Sequence, residues 1–284
     1  MSRHVVTGAT GALGRSLVSA LRSRGLEVTA VVRTPAQAPA LVEAGAGVVV
    51  ADLTRPGSWQ DEIADATVVW HTAAPRLEPP VRRRAVGRRE RAAARMAELV
   101  VDATEAERIV LASSMLSSRG PAGDGTALGR ISTAAESRMP VDRTSIVRLG
   151  WPYNPESFLA FMVRGLLESR YRIVAEGTNR MPLISLPDAT AALVAAGDGP
   201  PGTWSAHEPD VPTQKDLVHH LCAETGARRP DHLPVAMASL SFGRVLAEAL
   251  TWDADCGTLS LVSEWAPSLD WRSDLVSAVG GGPG

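Results

Sequence analysis

The stretch Val5–Leu17, reading VVTGATGALGRSL, limits what this chain can fold into more than any other. The apolar pair Val5-Val6 leads into Thr7-Gly8. Gly8, Gly11 and Gly14 then punctuate the start of an amphipathic segment that continues through Leu17, Val18 and Leu21. The order strand, glycines, helix predicts a tight turn at the strand exit, a backbone bare enough for a pyrophosphate to approach, and close packing of the helix on the strand. The open amides of the first helical turn would face the phosphates. Thr7, Gly8, Thr10, Gly11, Ala12, Leu13 and Gly14 are therefore the candidate contacts for a dinucleotide.

Strand-like runs recur after this turn at Val28–Val32, Val48–Ala51, Thr67–His71, Arg108–Ala112 and Ser145–Arg148. Helical segments separate them, the longest from about Arg84 to Glu105. This alternation predicts an α/β fold: a Rossmann-like, doubly wound parallel sheet covered on both faces. Residues 1–150 are expected to form the dinucleotide-binding domain. Residues 151–284 are expected to form a smaller lobe that shapes the substrate pocket and can return one or more elements to the main sheet. Within the lobe, Phe158–Leu167, Leu186–Ala196, Lys215–Thr225 and Val235–Leu250 read as helices, Tyr171–Ala175 as a strand and Gly177–Arg180 as a turn.

Charge and composition remove several classes of function. A formal net charge of −2 gives no reason to expect a nucleic-acid partner. The basic run Arg82-Arg83-Arg84 and Arg88-Arg89 is followed by Glu90 and reads as a solvated helix face. No apolar run reaches the roughly 18 residues that span a bilayer. The chain opens directly on a strand without a signal peptide, so the expected location is cytoplasmic. Cys222 and Cys256 are too few and too far apart for a disulfide scaffold, and the neighbours His219 and His220 diverge on a helix, so no metal site is expected. The expected partners are a small-molecule substrate and a second copy of the chain in a homodimer, with no nucleic acid and no membrane.

The end of the second strand selects the nucleotide. A carboxylate there would bond the hydroxyls of an unphosphorylated ribose, but this chain reads Val31-Val32-Arg33-Thr34. A guanidinium at Arg33 can grip a 2′-phosphate, which makes NADP the expected cofactor and NAD the alternative. Asp52-Leu53, after the third strand, lies where the adenine should rest. Thr72, Ala73 and Ala74 close the fourth strand beside the expected path of the pyrophosphate and nicotinamide. His71, just before them, reads equally well as structural or functional.

TGATGALG, VVRTP, Asp52-Leu53, HTAA and the strand ending ASS together resemble the extended or atypical short-chain dehydrogenase/reductases. They are most similar to dihydroflavonol-reductase-like and NAD-dependent epimerase/dehydratase-like members. The resemblance covers roughly residues 3–150, and RLGWPYNP resembles the passage into the substrate lobe. It implies that a serine after strand five bonds substrate, that a tyrosine acts as acid or base, and that a lysine four residues later lowers the tyrosine's pKa. The serine falls on Ser114, with Ser113 behind it. In the helix LGRISTAAE, Leu128 takes the tyrosine's place and Ser132 the lysine's, while Glu136 keeps a later acidic position. Leucine has no proton to give and Ser132 no charge, so the usual pair is absent. Lys215 is the only lysine, and Tyr153 and Tyr171 are the only tyrosines.

Three readings stay open: an oxidoreductase with an unusual site, a non-redox isomerase, cyclase or dehydratase in a reductase pocket, and a non-catalytic dinucleotide-binding regulator. Ser114 is the catalytic candidate. Ser113, Asp124, Leu128, Trp151, Tyr153, Arg180 and His207 are the candidates for contact with substrate. Ser132 joins Arg33, Asp52, Leu53 and the glycine turn among those for contact with cofactor. Arg148 reads as a strand-end brace or a phosphate contact.

Overall fold

A computed structural model of the chain describes residues 2–75, 83–117, 125–257, 262 and 264–280. β1 (Arg3–Thr7), β2 (Glu27–Val32), β3 (Gly47–Val50), β4 (Val68–His71), β5 (Arg108–Ser114) and β6 (Thr144–Leu149) are all parallel, and a seventh strand, β10 (Gly202–Ala206), adds to the edge of β6. Their order is β10-β6-β5-β4-β1-β2-β3. It reverses direction at β1, which pairs with β2 on one side and β4 on the other. This reversal opens a crevice beyond the carboxyl ends of the strands, where doubly wound sheets bind ligands.

Alternation along the strands feeds two apolar layers. Val5, Val31, Val49, Val69, Ile109 and Leu111 face α3 (Trp59–Ile63), α4 (Arg83–Asp102) and α5 (Ala127–Glu136). Val6, Ala30, Val32, Trp70, Val110 and Val147 face α1 (Ala12–Ser23), α2 (Pro39–Glu43) and α7 (Leu186–Asp198). The α7 helix crosses Trp70 so closely that a Cβ on Gly197 would lie 2.3 Å from the indole ring. The Trp70 indole N–H is satisfied on the buried side by His4 Nδ1 at 3.1 Å.

The lobe has a third core. α6 (Phe158–Leu167), α8 (Gln214–Thr225) and α11 (Trp271–Ala278) pack around Met162, Leu183, Leu217, Leu221 and the fully buried Trp271. Two short parallel pairs join it: β7 (Trp151–Tyr153) with β9 (Leu183–Ser185), and β8 (Ile173–Val174) with β11 (His232–Leu233). Asp188, 2% exposed in the first turn of α7, accepts from the amides of Ser268 and Leu269 at 2.8 and 3.1 Å, which docks the segment before α11. Among the described residues no helix is long and apolar enough to cross a membrane.

Three expectations need correction. The Val235–Leu250 helix is two helices, α9 (Val235–Ser241) and α10 (Arg244–Ala249), because Gly243 between them takes φ +97°, which no helix can accommodate. The Tyr171–Ala175 strand shortens to Ile173–Val174, with Ala175 at φ +52° ending it. Strand five runs on through Ser113 and Ser114, which pair with Arg148 and Leu149. Beyond it a 3₁₀ turn covers Met115–Ser117, and α5 begins at Ala127 because the Thr126 hydroxyl caps it, accepting from the Gly129 amide at 2.9 Å.

Candidate active site

The glycine turn lies at the point where the sheet order reverses, since Thr7 pairs with both Val31 and His71. Gly8 has φ +71°, and a Cβ there would stand 2.6 Å from the Ala73 amide nitrogen. A Cβ on Gly14 would stand 2.2 Å from the Gly8 carbonyl oxygen, so this glycine lets α1 close on β1. Gly11 is different. It caps α1 in an extended conformation with no side-chain bond, and a Cβ would meet nothing nearer than the Gly8 carbonyl at 3.5 Å. The space above Gly11 is therefore not taken by the fold. The first-turn amides at Ala12 and Leu13 have no intrahelical acceptor. Two glycines shape the cradle and the third leaves it open, a combination that fits a dinucleotide's diphosphate.

The other cofactor candidates surround this turn. Thr72 is fastened to it, its amide and hydroxyl both donating to the Thr7 carbonyl at 3.2 and 2.7 Å, with Ala73 and Ala74 following at the edge. The Arg33 side chain is exposed at the end of β2, while its amide donates to Gln37 Oε1 at 3.2 Å. Asp52 is exposed, and hydrogen bonds from the Thr54 hydroxyl and amide lower its pKa. Leu53 is only 7% exposed and packs into the core with Trp59 and Ile63. Thr10 sits in the turn, where its carbonyl accepts from Arg15, and Arg15 also pairs with Glu156 at the start of the lobe. Beneath the turn, Thr7 Oγ1 bonds His71 Nδ1 at 2.8 Å. Burial pushes the His71 pKa down to about 4, and its Nε2 has no hydrogen-bond partner among the described residues.

The candidate substrate side lies along β5 and α5. Ser113 points down, donating to the Glu136 carboxylate, which also takes both donors of the Arg148 fork. Arg148 is thus a brace. Ser117 adds its hydroxyl to the same carboxylate and to the Ser114 carbonyl. Ser114 is half-buried on the opposite side of the strand, and its Oγ accepts from the Leu116 amide at 3.2 Å. The Leu116 carbonyl accepts from the Thr126 amide at 3.3 Å and meets α5 so closely that a Cβ on Gly129 would stand 1.9 Å away. Leu128 and Ser132 are half-buried on that helix, which carries neither tyrosine nor lysine.

The remaining candidates scatter. Trp151 is half-buried against Phe158 with ring centroids 5.4 Å apart. Tyr153 is 1% exposed in the lobe core, where burial and the neighbouring Glu208 carboxyl push its pKa up. Tyr171 is buried in the same core. His207 follows β10, with Nδ1 2.7 Å from the Glu208 carbonyl. Lys215 is exposed in the first turn of α8, its amide bonded to the Gly177 carbonyl. Arg180 is gripped by Asp253. Asp124 lies outside the described residues. The sequence reading missed Asp253 and also Glu248, whose Oε1 accepts the Ala127 amide at 3.3 Å at the start of α5. Both reach partners far along the chain, and no local pattern marks either of them.

The family profile that matches residues 8–136 is described as NAD(P)H-binding. Solved structures align over nearly the whole chain. The human epimerase family protein SDR39U1 with NADPH is 20% identical, covers 98% of this chain and 99% of its own, and has a TM-score of 0.76. A UDP-glucuronic acid 4-epimerase from Bacillus cereus with UDP-glucuronic acid and NAD is 16% identical over 98% of each chain, with a TM-score of 0.75. The NAD-dependent NDP-hexosamine 5,6-dehydratase TunA is 16% identical over 99% of this chain and 97% of its own, with a TM-score of 0.73. The chain shares the fold of these epimerase and dehydratase structures. No protein of curated function matches it in sequence. In this fold the glycine turn, Ser114 and the start of α5 share the carboxyl edge of the sheet. The substrates of these neighbours, at such identities, do not pass to this chain with the fold.

Proposed function

We propose that this chain is an NADP(H)-preferring enzyme that acts on a small carbonyl- or hydroxyl-bearing metabolite without a tyrosine–lysine acid–base pair. The observation that carries the reading is the exposed Arg33 side chain at the end of β2, on the strand beside the Gly8 turn. A guanidinium there matches a 2′-phosphate in charge and in geometry. When bound, the nicotinamide supplies or accepts a hydride.

The chain's own residues bind and orient. The turn from Gly8 to Gly14 holds the diphosphate through backbone amides, and Arg33 holds the 2′-phosphate. The Ser114 hydroxyl bonds the substrate oxygen without attacking it, because among the described residues no histidine is hydrogen-bonded to it. Leu128 has no proton to give and Ser132 no charge with which to depress a neighbour's pKa, so acid–base help comes from outside this helix, with Tyr153, His207, Asp124 and groups on the substrate as the candidates.

Calorimetric titration with NADPH and NADH tests the selector. NADPH should bind more tightly, and Arg33→Ala should shrink the difference while sparing NADH. Equal affinities in the parent protein would reject Arg33. Nicotinamide absorbance followed against small carbonyl compounds, with product mass, then separates hydride transfer from a non-redox reaction.

A further inference from the structure

The segment from Glu248 to Asp253 links the start of α5 to the turn that carries Arg180. At its near end Glu248 bonds the Ala127 amide, next to Leu128 and to the turn that follows Ser114. In its middle the Leu250 carbonyl accepts from Gln214 Nε2 at 2.8 Å, which ties the segment to α8. At its far end Asp253 takes three bonds from Arg180: from the backbone amide at 2.8 Å, from Nε at 3.0 Å and from Nη2 at 3.2 Å. Arg180 lies two residues before Pro182. The Pro182 carbonyl accepts the Trp151 amide at 2.7 Å and would stand 2.6 Å from a Cβ on Gly150, at the end of β6. The ion pair thus stands beyond the carboxyl edge of the sheet, on the lobe side of the cleft.

The pair decides what charge the lobe shows to a ligand. Hydrogen bonds from Arg180 lower the Asp253 pKa and keep it ionised, so the guanidinium is already neutralised. Glu248, Asp253 and Asp255 all lie between residues 248 and 256, which include no basic residue. A diphosphate entering here would have to displace Asp253 from Arg180 and then face a carboxylate left without its cation. Rejection of a wrong ligand through such a charge is an ordinary route to specificity.

We propose that Asp253 is a specificity-determining residue: by occupying Arg180 it closes the lobe to diphosphate-bearing substrates, such as sugar nucleotides, and reserves the cleft for phosphate-free ones. The assignment rests on the proposed reading of this cleft as the substrate site. It separates this chain from the structural neighbours that hold UDP-glucose or UDP-glucuronic acid.

UDP-glucose titrated calorimetrically into the protein, with and without saturating NADPH, tests it. The parent protein should show no binding up to about 1 mM. Asp253→Asn removes the competing charge and should tighten UDP-glucose by about tenfold or more, an effect that weakens with salt. Adding Arg180→Gln to that variant should abolish the gain. Micromolar binding by the parent overturns the assignment. So does a variant with the parent's circular dichroism and melting temperature but no gain; Asp253→Ser is the substitute should the asparagine variant not fold. A chain that binds no NADPH, yet gains UDP-glucose on Asp253→Asn, fails the cofactor reading and leaves the role of Asp253 standing.

Discussion

Arg148 and Glu136 meet as a two-point ion pair, Nε to Oε1 at 3.0 Å and Nη2 to Oε2 at 2.7 Å, with the Glu136 side chain 8% exposed and that of Arg148 20%. The pair joins β6 to α5 directly beneath Ser113 and the turn that carries Ser114. Removing one partner leaves a largely buried charge unmatched. Glu136→Ala should therefore cost about 3 kcal/mol in urea unfolding, the lower end for a broken buried pair because Arg148 keeps some solvent. Replacing both residues by apolar ones of similar volume should recover part of that loss.

Gly11 and Gly14 should separate binding from folding. Gly11→Ala adds a methyl group where the fold leaves space, so unfolding should change by less than about 1 kcal/mol while dinucleotide affinity falls at least about tenfold. Gly14→Ala drives a Cβ into the Gly8 carbonyl and should lower the melting temperature as well as the affinity. A Gly11→Ala protein that binds NADPH as the parent does would place the diphosphate elsewhere.

His71 should make the protein acid-sensitive in a defined window. Its pKa is about 4 when folded and 6.5 when free. The folded state resists protonation that the unfolded chain accepts, so the stability it contributes is complete above pH 6.5 and declines as pH falls toward 4. At about 1.4 kcal/mol per unit the decline amounts to roughly 3 kcal/mol. Denaturant unfolding at several pH values should show it. His71→Asn, which keeps a partner for Thr7, should flatten this component of the profile.

Ser114→Ala should leave dinucleotide affinity near that of the parent and reduce turnover or substrate affinity. Among the described residues its Oγ is bonded by the Leu116 amide, and the side chain is half-buried at the edge. The stability cost should be about 1 kcal/mol, one hydrogen bond. Loss of NADPH binding as severe as in Gly8→Ala would reassign Ser114 to the cofactor or the fold.

What the sequence shows well is local. The glycine turn and the strands from β1 to β6 are contiguous apolar runs set between helices, and chemistry at adjacent positions identifies them. β7, β9 and β10 are three to five residues long, and Trp151-Pro152-Tyr153 or Gly202–Ala206 carries too little alternation to be recognised without the neighbour it pairs with. The site divides the same way. Ser114 and Arg33 follow from strand endings. Asp253 acquires its meaning only from Arg180, 73 residues away, and Glu248 only from Ala127, 121 residues away. Glu136 and Arg148 are visible individually, but their meeting depends on α5 folding back across β6.

β10 reaches the sheet only after the chain has passed through α6, β8, β9 and α7. During synthesis β6 must therefore wait, its outer row of amides and carbonyls unpaired, until residue 206 has emerged. An amino-terminal fragment ending at Gly150 would keep that edge permanently open, an invitation to pair with other copies of itself. Soluble halves should be recovered only when both pieces are made together, so that the second lends its strand to the first.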